Sequence, residues 1–484
     1  MLRSGPTILA VVTTLLSGFA IAGNLAAQET RVEPAPATPP GGSAGDVTRV
    51  DPALALPPAE GSRQVTRVDP SPASPPSPAY AQEAQAVDSE PAGIFGELQD
   101  ALLNGKVSFN LRALAEVADI DGLKKSQAYT ERLRLGYGTK SFHGLKLFVE
   151  FEDTRSADDD LYNAAGLNGE PDKTVIADPE NTEMNQAFAH YTNDYIGAKV
   201  GRQRLILDDA RFVGNVGWRQ NEQTFDAFTL TSSWIKDVDL LYSYVDDVNR
   251  IFGPDARRDF KSDSHLLHAS HKLKANDLDL GQITAFAYFL DFTNSDANSS
   301  DTYGARYTGK TAIDDDLSVA YAASYAYQQD AASNPTNYDA DYLAAELSVA
   351  KKGWGSVGGG YELLGSDDET MAFRTPLATL HLFQGWADQF LATPAAGIED
   401  VYTFVGASLP FGIKSKIVYH WLFSHKGSSD YGEEFDAVVS KSFSPNFAVL
   451  AKMALYDGRK RSSLLNAAQR SNIQRYWVQA EMKF

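Results

Sequence analysis

The sequence has no cysteine, no net positive charge and no long apolar run beyond its first residues. Without cysteine there is no thiol nucleophile, disulfide or cysteine-ligated zinc, and such a composition suits an exported bacterial protein. No stretch after Ala22 reaches 18 consecutive apolar residues, which argues against membrane-spanning helices. The formal net charge of −20 argues against nucleic acid as a partner.

The amino terminus has the pattern of a secretory signal peptide. Arg3 gives a positively charged start, Thr7 to Ala22 form an apolar stretch, and Leu25-Ala26-Ala27 is a processing site before Gln28. We therefore predict a signal peptide over residues 1–27 and an exported mature chain.

Residues 28–91 contain 13 of the 22 prolines and have few apolar residues. A short motif begins at Thr30, Thr48 and Thr66, each time as Thr-Arg-Val, an acidic residue and Pro. Three such copies are too small and polar to stack, so they predict a disordered, Pro-rich periplasmic spacer. A peptidoglycan- or partner-binding role is the alternative. Residues 92–104 predict a short helix or an ordered lead-in, because Ile94, Phe95, Leu98, Leu102 and Leu103 have helical spacing.

The chain ends on a strand with one apolar and one polar face. Tyr476, Val478, Ala480, Met482 and Phe484 alternate with polar residues and Trp477. An amphipathic strand that ends in an aromatic residue is typical of the closing strand of a bacterial outer-membrane β-barrel. We expect Phe484 to be the signal that the barrel assembly machinery recognises.

Earlier segments repeat this alternation; for example, Leu133 and Leu135 alternate with Arg132 and Arg134. Strands of this kind are predicted near residues 107–116, 132–137, 145–152, 184–192, 195–204, 222–233, 237–249, 263–274, 279–291, 301–310, 315–328, 339–352, 354–364, 399–408, 413–425, 431–442, 445–457 and 473–484. The fold class is therefore all-β, with a single transmembrane antiparallel β-barrel of about 18 strands over residues 105–484. Its lumen-facing residues are expected to be polar or small.

The predicted connections alternate between short and long. Short turns such as Thr192–Tyr195 and Lys351–Trp354 alternate with long polar stretches such as Thr154–Glu183 and Gly365–Glu399. A barrel whose amino terminus lies in the periplasm has short inner turns and long outer loops. A soluble β-sandwich would not show this alternation.

Catalysis and metal binding have weak support in the sequence. His265, His268 and His271 are three residues apart, so on a strand only His268 faces the lumen and the other two face outward. The acidic runs 158–160, 314–316 and 367–369 lack the EF-hand pattern and are interpreted as solvated loops, with calcium binding as the alternative. A barrel hydrolase is therefore the third-ranked function, and we name no catalytic residue, metal ligand or cofactor.

Two stretches at loop positions are rich in Arg, Trp, Gly and Pro instead of plain solvating residues. The first runs from Gly201 to Gln220 and on to Thr224-Phe225-Asp226-Ala227, and the second from Thr375 to His381, with Gly385-Trp386-Ala387-Asp388 and Thr393-Pro394. Together they resemble the alginate-export family of outer-membrane barrels, over about Gly105 to Phe484. The resemblance implies an exporter or porin-like channel with an arginine-lined constriction, and it does not fix the substrate.

A channel for a polyuronate needs fixed positive charge, because guanidinium groups pair with carboxylates and a hydrated lumen lets them release. The candidates with lumen parity are Arg112, Arg132, Arg134, Lys146, Lys199 and Arg306, and those in the first family-like stretch are Arg202, Arg211 and Arg219. Lys199 and Arg202 have opposite parity, so one of them points outward unless a bulge intervenes. The alternative is a salt-bridged wall, since Glu116, Glu150, Glu152, Glu346 and Glu362 share the lumen face.

We therefore predict a non-enzymatic outer-membrane channel for export or diffusion of anionic sugars or polysaccharides. A general, weakly selective porin is the alternative, followed by the hydrolase and by an adhesin-like or structural barrel. The expected partners are outer-membrane lipid and lipopolysaccharide, the barrel assembly machinery, and a periplasmic polysaccharide-secretion protein. No nucleic-acid partner is expected.

Overall fold

The computed structural model describes residues 93–275, 278–459 and 462–484. The signal peptide and spacer predicted over residues 1–91 lie outside these residues and stay predictions. The first described element is helix α1, Ile94–Leu103, within the range predicted for a short helix. In the described part of the chain, no helix is long and apolar enough to cross a membrane.

Twenty strands follow the helix. They are β1 (Lys106–Ile120), β2 (Ser126–Gly138), β3 (Leu145–Ser156), β4 (Asn181–Thr192), β5 (Ile196–Gln203), β6 (Thr224–Ser232), β7 (Val238–Asn249), β8 (Phe260–Ala275), β9 (Leu278–Leu290), β10 (Ser300–Ala312), β11 (Leu317–Asp330), β12 (Asp339–Lys351), β13 (Gly355–Leu364), β14 (Ser366–Asp367), β15 (Met371–Ala372), β16 (Ile398–Leu409), β17 (Ile413–Phe423), β18 (Asp430–Ser444), β19 (Phe447–Gly458) and β20 (Ile473–Lys483). All except β14 and β15, which pair with each other, form one 18-stranded sheet.

The sheet closes because its last strand pairs with its first. Each barrel strand is antiparallel to its neighbours, and β20 pairs with β1 from Asn110 and Lys483 to Ile120 and Ile473. The Phe484 N–H donates to the Phe109 carbonyl oxygen at 2.9 Å. Closure satisfies the backbone groups that an open edge would leave unpaired in lipid. The predicted barrel of about 18 strands is confirmed.

The strands alternate between an apolar outer face and an inner face. On β2, Leu133 and Leu135 are 38% and 51% exposed, whereas Arg132 and Arg134 are 0% and 8% exposed. An arginine on the lipid-facing surface costs about 2 to 4 kcal/mol at the membrane midplane, so the alternation fixes which face points inward. The single histidine predicted to face inward does so, since His268 reaches Asp208 at 3.1 Å.

The two ends of the barrel differ. At the short-turn end, where α1 lies, turns of a few residues such as 193–195 and 352–354 join the strands. At the long-loop end lie the connections 157–180, 204–223 and 365–397. The alternation predicted from the sequence is not strict, because the connections 121–125 and 424–429 at the long-loop end are also short.

Aromatic side chains mark the outer rim at the short-turn end. Tyr195, Trp234, Trp354 and Phe411 lie in or beside the short turns and are between 57% and 85% exposed. A belt of exposed aromatic side chains is typical of the position along a barrel that lies at the polar interface of a membrane.

Candidate functional site

Two connections from the long-loop end fold into the barrel. We call residues 204–223 inner loop A and residues 365–397 inner loop B. Inner loop A contacts β1, where Arg112 donates to the Gly217 carbonyl oxygen at 2.9 Å, and β10, where Arg306 lies 2.7 Å from Asp209. Because β1 and β10 are half a circuit apart in a ring of 18 strands, inner loop A crosses the lumen.

The two inner loops are joined to each other by backbone hydrogen bonds. Val213 and Leu377 form a parallel bridge, the Gly214 N–H donates to the Leu377 carbonyl oxygen at 2.9 Å, and the Thr379 N–H donates to Ala210 at 3.0 Å. Val213 and Leu377 are buried. The two loops therefore form one unit across the lumen, which we call the partition.

Inner loop B binds the wall opposite inner loop A's entry through consecutive backbone N–H groups. The Trp386 N–H donates to Asp436 at 3.1 Å and the Ala387 N–H donates to Glu434 at 2.6 Å. Gly385 precedes them with a φ of +88°, and a Cβ at this position would collide with the Glu434 carboxylate. Glycine is therefore needed here for both the backbone angle and the close approach.

A cluster of indole rings surrounds Lys452 where the partition meets β19 and β20. The Lys452 ammonium lies 4.4 Å from the Trp477 ring, 5.0 Å from Trp218 and 5.3 Å from Trp386. It also bonds to His381, whose ring stacks on Trp218 with centroids 3.5 Å apart. Since Trp218 is in inner loop A and His381 in inner loop B, one lysine holds both loops to the wall.

His381 is buried and is held neutral by its surroundings. Burial lowers the pKa of its imidazole to about 3, and the positive charge of Lys452 acts in the same direction, outweighing Asp388. Its Nδ1 lies 2.7 Å from Asp388 Oδ1. The neutral ring therefore donates a hydrogen bond to Asp388 through Nδ1 and accepts one from the Lys452 ammonium group at Nε2.

The side of the partition near β1–β3 and β20 is held by buried ion pairs. Arg219 of inner loop A is 4% exposed and lies 2.9 Å from Glu116, 3.3 Å from Asp178 and 3.3 Å from Asp388. Burial alone would lower its pKa, but these three carboxylates outweigh burial and raise it. Glu116 also accepts from Arg475 at 2.9 Å. We call this region the charged side of the lumen.

A further carboxylate of the charged side, Glu222, joins inner loop A to the wall. Glu222 lies 3.4 Å from Arg134 and accepts from Arg204 Nε at 2.6 Å. Burial raises its pKa, but the two guanidinium groups outweigh burial and hold it below the ordinary value. Arg134 also pairs with Glu152 on β3.

Arg112 and Arg132 are register partners on β1 and β2, and Arg134 follows two residues along β2. Arg132 donates to Asn110 at 2.5 Å, and among the described residues its one ion-pair contact is with Glu481 at 3.8 Å. Within the described residues, four buried guanidinium nitrogens make no hydrogen bond: Arg112 Nε, Arg132 Nε and Nη1, and Arg134 Nη2. Three of the predicted arginines, Arg112, Arg132 and Arg134, therefore lie next to one another. They lie behind the partition, with side chains at most 9% exposed.

The opposite side of the lumen, near β9 and β12, is apolar. Phe212 of inner loop A packs against Phe286 at 4.8 Å, Tyr342 at 5.2 Å and Phe373 at 6.0 Å between ring centroids. The expectation of polar or small lumen residues is wrong for this region, which we call the aromatic side. The physical reason is that an inward loop supplies apolar partners in place of water. Arg211 lies at its edge, 2.6 Å from Glu362 and stacked on Phe383 at 4.5 Å.

Lysines face the lumen at the short-turn end. Lys146 is register-paired with His190, and Lys199 pairs with the same residue and lies 4.6 Å from the Phe188 ring. Strand parity puts further lysines at the same end of the lumen: Lys106, Lys272, Lys310, Lys414, Lys416 and Lys483. Asp239 and Glu346 share this region. We call this set of lysines the lysine lining.

Arg202 lies apart from the other predicted residues. It has the parity of Val200 and pairs with Asp226, so its side chain lies on the outer face, with Nε 2.8 Å from Asp226 Oδ1. No bulge between Lys199 and Arg202 changes the β4–β5 register, and Lys199 takes the inward position.

Several residues of the site were not found from the sequence. Arg475 on β20 and Lys452 on β19 lie at alternating positions that face the lumen. This alternation was the one sequence feature that could have identified them. Glu222, Arg204, Asp178 and His381 come from loops, whose path into the lumen has no periodic signature. Their partners are distant in the chain, so the pairing depends on the closed barrel.

Comparison with known proteins agrees with this geometry. A family model described as alginate export matches residues 109–344, which confirms the family resemblance drawn from the sequence. No curated protein sequence matches the chain.

Solved barrels share the fold. OpdK of Pseudomonas aeruginosa, solved with vanillate, is 13% identical with a TM-score of 0.60, and the match covers 79% of this chain and 98% of OpdK. OccAB2 of Acinetobacter baumannii is 17% identical with a TM-score of 0.59, covering 79% and 98%. OpdQ of Pseudomonas aeruginosa is 14% identical with a TM-score of 0.59, covering 79% and 99%. The chain thus shares the barrel fold of these three proteins.

Proposed function

We propose that this barrel is an outer-membrane channel for export or diffusion of anionic sugars or polysaccharides. The family match and the fold support a channel and not an enzyme. We also propose that the short-turn end and the amino terminus lie in the periplasm, because outer-membrane barrels have their short turns there.

One observation carries the choice of an anionic cargo: the lysine lining. The chain as a whole has a formal net charge of −20, yet the lumen at the short-turn end is lined by lysines from seven barrel strands. A mouth lined by one sign of charge raises the local concentration of ligands of the other sign. Hydrated ammonium groups hold each carboxylate weakly enough for release, as conduction requires.

The buried arginines of the charged side add to this field from behind the partition. In the described part of the chain, Arg132 has a single ion-pair contact, with Glu481 at 3.8 Å, and Arg112 lies 3.6 Å from the same carboxylate. One carboxylate thus serves two guanidinium groups, and its own position is 24% exposed. Incompletely neutralised charge in a low-dielectric wall acts over a longer range than charge in water. These arginines bias the lumen toward anions without direct contact.

A general, weakly selective porin is the second candidate, and the ion pairs favour it. Arg134, Arg211 and Arg219 all have carboxylate partners within 4 Å, so most of the arginine charge is neutralised locally. If the lysine lining is screened by salt, selectivity for anions is small.

Single-channel recording with sugar oligomers separates the two candidates. Uronic acid oligomers added to the wild-type protein should interrupt the current in a concentration-dependent way, because each carboxylate pairs with the lysine lining. Neutral glucose oligomers of the same length should not. If both kinds of oligomer interrupt the current equally, or if neither interrupts it, the general porin is favoured.

A matched pair of lysine variants locates the effect. The double variant Lys146→Gln/Lys416→Gln removes two lumen charges and should weaken the block by uronic acid oligomers severalfold. Lys441→Gln removes a charge at the same end from outside the lumen, where Lys441 lies 4.8 Å from the Phe443 ring, and should leave the block unchanged. Equal weakening in both would show that net charge, and not the lumen, is responsible.

A further inference from the structure

Helix α1 turns its acidic face toward the turn between β2 and β3. Asp100 lies 3.0 Å from Lys140, Glu97 lies 3.2 Å from His143, and the Lys140 N–H donates to the Ala101 carbonyl oxygen at 3.0 Å. Residues three and four apart share one face of a helix, so Glu97, Asp100 and Ala101 form one docked surface. Ala101 is 3% exposed.

The carboxyl end of α1 is tied to the outer wall of the barrel. The Tyr137 hydroxyl donates to the Leu102 carbonyl oxygen at 2.7 Å and accepts from the Gly105 N–H at 2.8 Å. Tyr137 has the same parity on β2 as Leu133 and Leu135, which face outward. The helix therefore sits on the membrane side of the barrel rim and not over the lumen.

The other face of α1 is apolar and uncovered by the described part of the chain. Ile94 is 61% exposed, Phe95 83% and Leu103 69%, with Leu98 and Leu102 also exposed. Together these side chains form a contiguous apolar surface of a kind that soluble faces rarely carry.

We propose that the apolar face of α1 lies in the membrane interface at the short-turn end and contacts lipid acyl chains. The apolar face of α1 lies at the same end of the barrel as the exposed aromatic side chains of the outer rim, Tyr195, Trp234, Trp354 and Phe411, and so continues the membrane-facing surface that they mark. The β2–β3 turn, against which the acidic face of α1 docks, carries the half-buried Phe142, and Phe95 on the other face of the helix is 83% exposed at this end of the barrel. The Asp100–Lys140 ion pair reduces the repulsion between the acidic face of α1 and anionic headgroups.

The absence of native cysteine allows a direct test by spin labelling. Single variants Phe95→Cys and Leu98→Cys of the full chain are labelled and reconstituted in vesicles of phosphatidylethanolamine and phosphatidylglycerol. Val405→Cys, at an outward position 54% exposed, is the lipid reference, and Ser333→Cys, at an exposed loop position, is the water reference. Asn104→Cys is the control on the acidic face of α1. Heat-modifiable migration checks that each variant is folded.

We expect the labels at Phe95 and Leu98 to collide with oxygen severalfold more than with a water-soluble nickel complex, as at Val405. The label at Asn104 should resemble that at Ser333. Nickel access at Phe95 and Leu98 equal to that at Ser333 would overturn the proposal. Protection that develops only after a periplasmic extract is added would also overturn it, because a protein would then be the occupant.

Discussion

The charged side and the aromatic side of the lumen hold the same partition by different physics. On the charged side, Arg219 and Arg134 pair with carboxylates of the wall and of the loops. On the aromatic side, Phe212 packs among rings of β9, β12 and inner loop B. Buried ion pairs demand complete partners, because an unpaired buried charge costs several kcal/mol. Aromatic packing loses only contact area when one ring is removed.

Because of this difference, holding inner loop A in place and setting the ion preference of the channel need not depend on the same side of the lumen. The aromatic side anchors inner loop A by ring packing, and the charge at its edge, Arg211, is paired with Glu362 at 2.6 Å. The guanidinium groups of the charged side fix inner loop A, and we propose that they also bias the electrostatic potential of the lumen. Variants on the two sides should therefore have distinct consequences for stability and for ion preference.

The largest effect is expected from Arg219→Met. It leaves Glu116, Asp178 and Asp388 without their shared cation, and breaking a buried pair in this way costs about 3 to 5 kcal/mol. We expect a lower free energy of unfolding in urea, followed by tryptophan fluorescence, and a larger conductance from a loosened partition.

Arg459→Met is the matched control for this variant. Arg459 also contacts three carboxylates, Asp430 at 2.9 Å, Glu433 at 2.8 Å and Asp457 at 3.3 Å, but its side chain is 34% exposed. An exposed network contributes about 1 kcal/mol or less. Equal losses in the two variants would show that burial of the charged side does not determine its strength.

Phe212→Ala tests the aromatic side. Removing a buried Phe costs about 3 to 5 kcal/mol, and because Phe212 is only partly buried we expect about 2 kcal/mol. Phe212→Leu should recover most of the loss. The reversal potential in a salt gradient should match that of the wild type, and a shifted potential would contradict the separation of the two sides.

Acidification should weaken the partition through His381. The pKa of His381 is lowered to about 3 in the folded protein, against about 6.5 in the unfolded chain, so between these values the unfolded state binds the extra proton. The contribution is complete above pH 6.5 and falls as the pH falls. From pH 7 to pH 5 the free energy of unfolding should fall by about 2 kcal/mol through His381. Unfolding in urea at the two pH values measures this difference. His381→Gln should show a smaller decline, and an equal decline would exclude His381 as its source.

Much of the barrel could be predicted from the sequence, because lipid enforces local alternation. Leu133 and Leu135 must face outward whatever the distant partners are, so strand number and facing follow from period two. Arg132, Arg134 and Lys199 were placed inward by the same rule.

The partition could not be predicted in this way. Gly385 and Trp386 were notable as loop residues, but their contacts with Glu434 and Asp436 depend on where the barrel brings β18. Arg202 shows the converse, since its loop-like surroundings gave it a lumen role while its parity puts it outside with Asp226. Loops lack the alternation of apolar and polar residues that lipid requires of the strands. Their path is therefore determined by tertiary contacts.

The reversal potential in a potassium chloride gradient tests the central claim, that lumen cations make the channel prefer anions. Arg132→Gln removes an inward charge that has only one weak ion pair, so the fold should tolerate it. Arg202→Gln removes an equal charge from the outer face and is the matched control. We expect an anion-selective wild type, a shift toward cations for Arg132→Gln, and no shift for Arg202→Gln. A cation-selective wild type, or equal shifts in the two variants, would contradict the account.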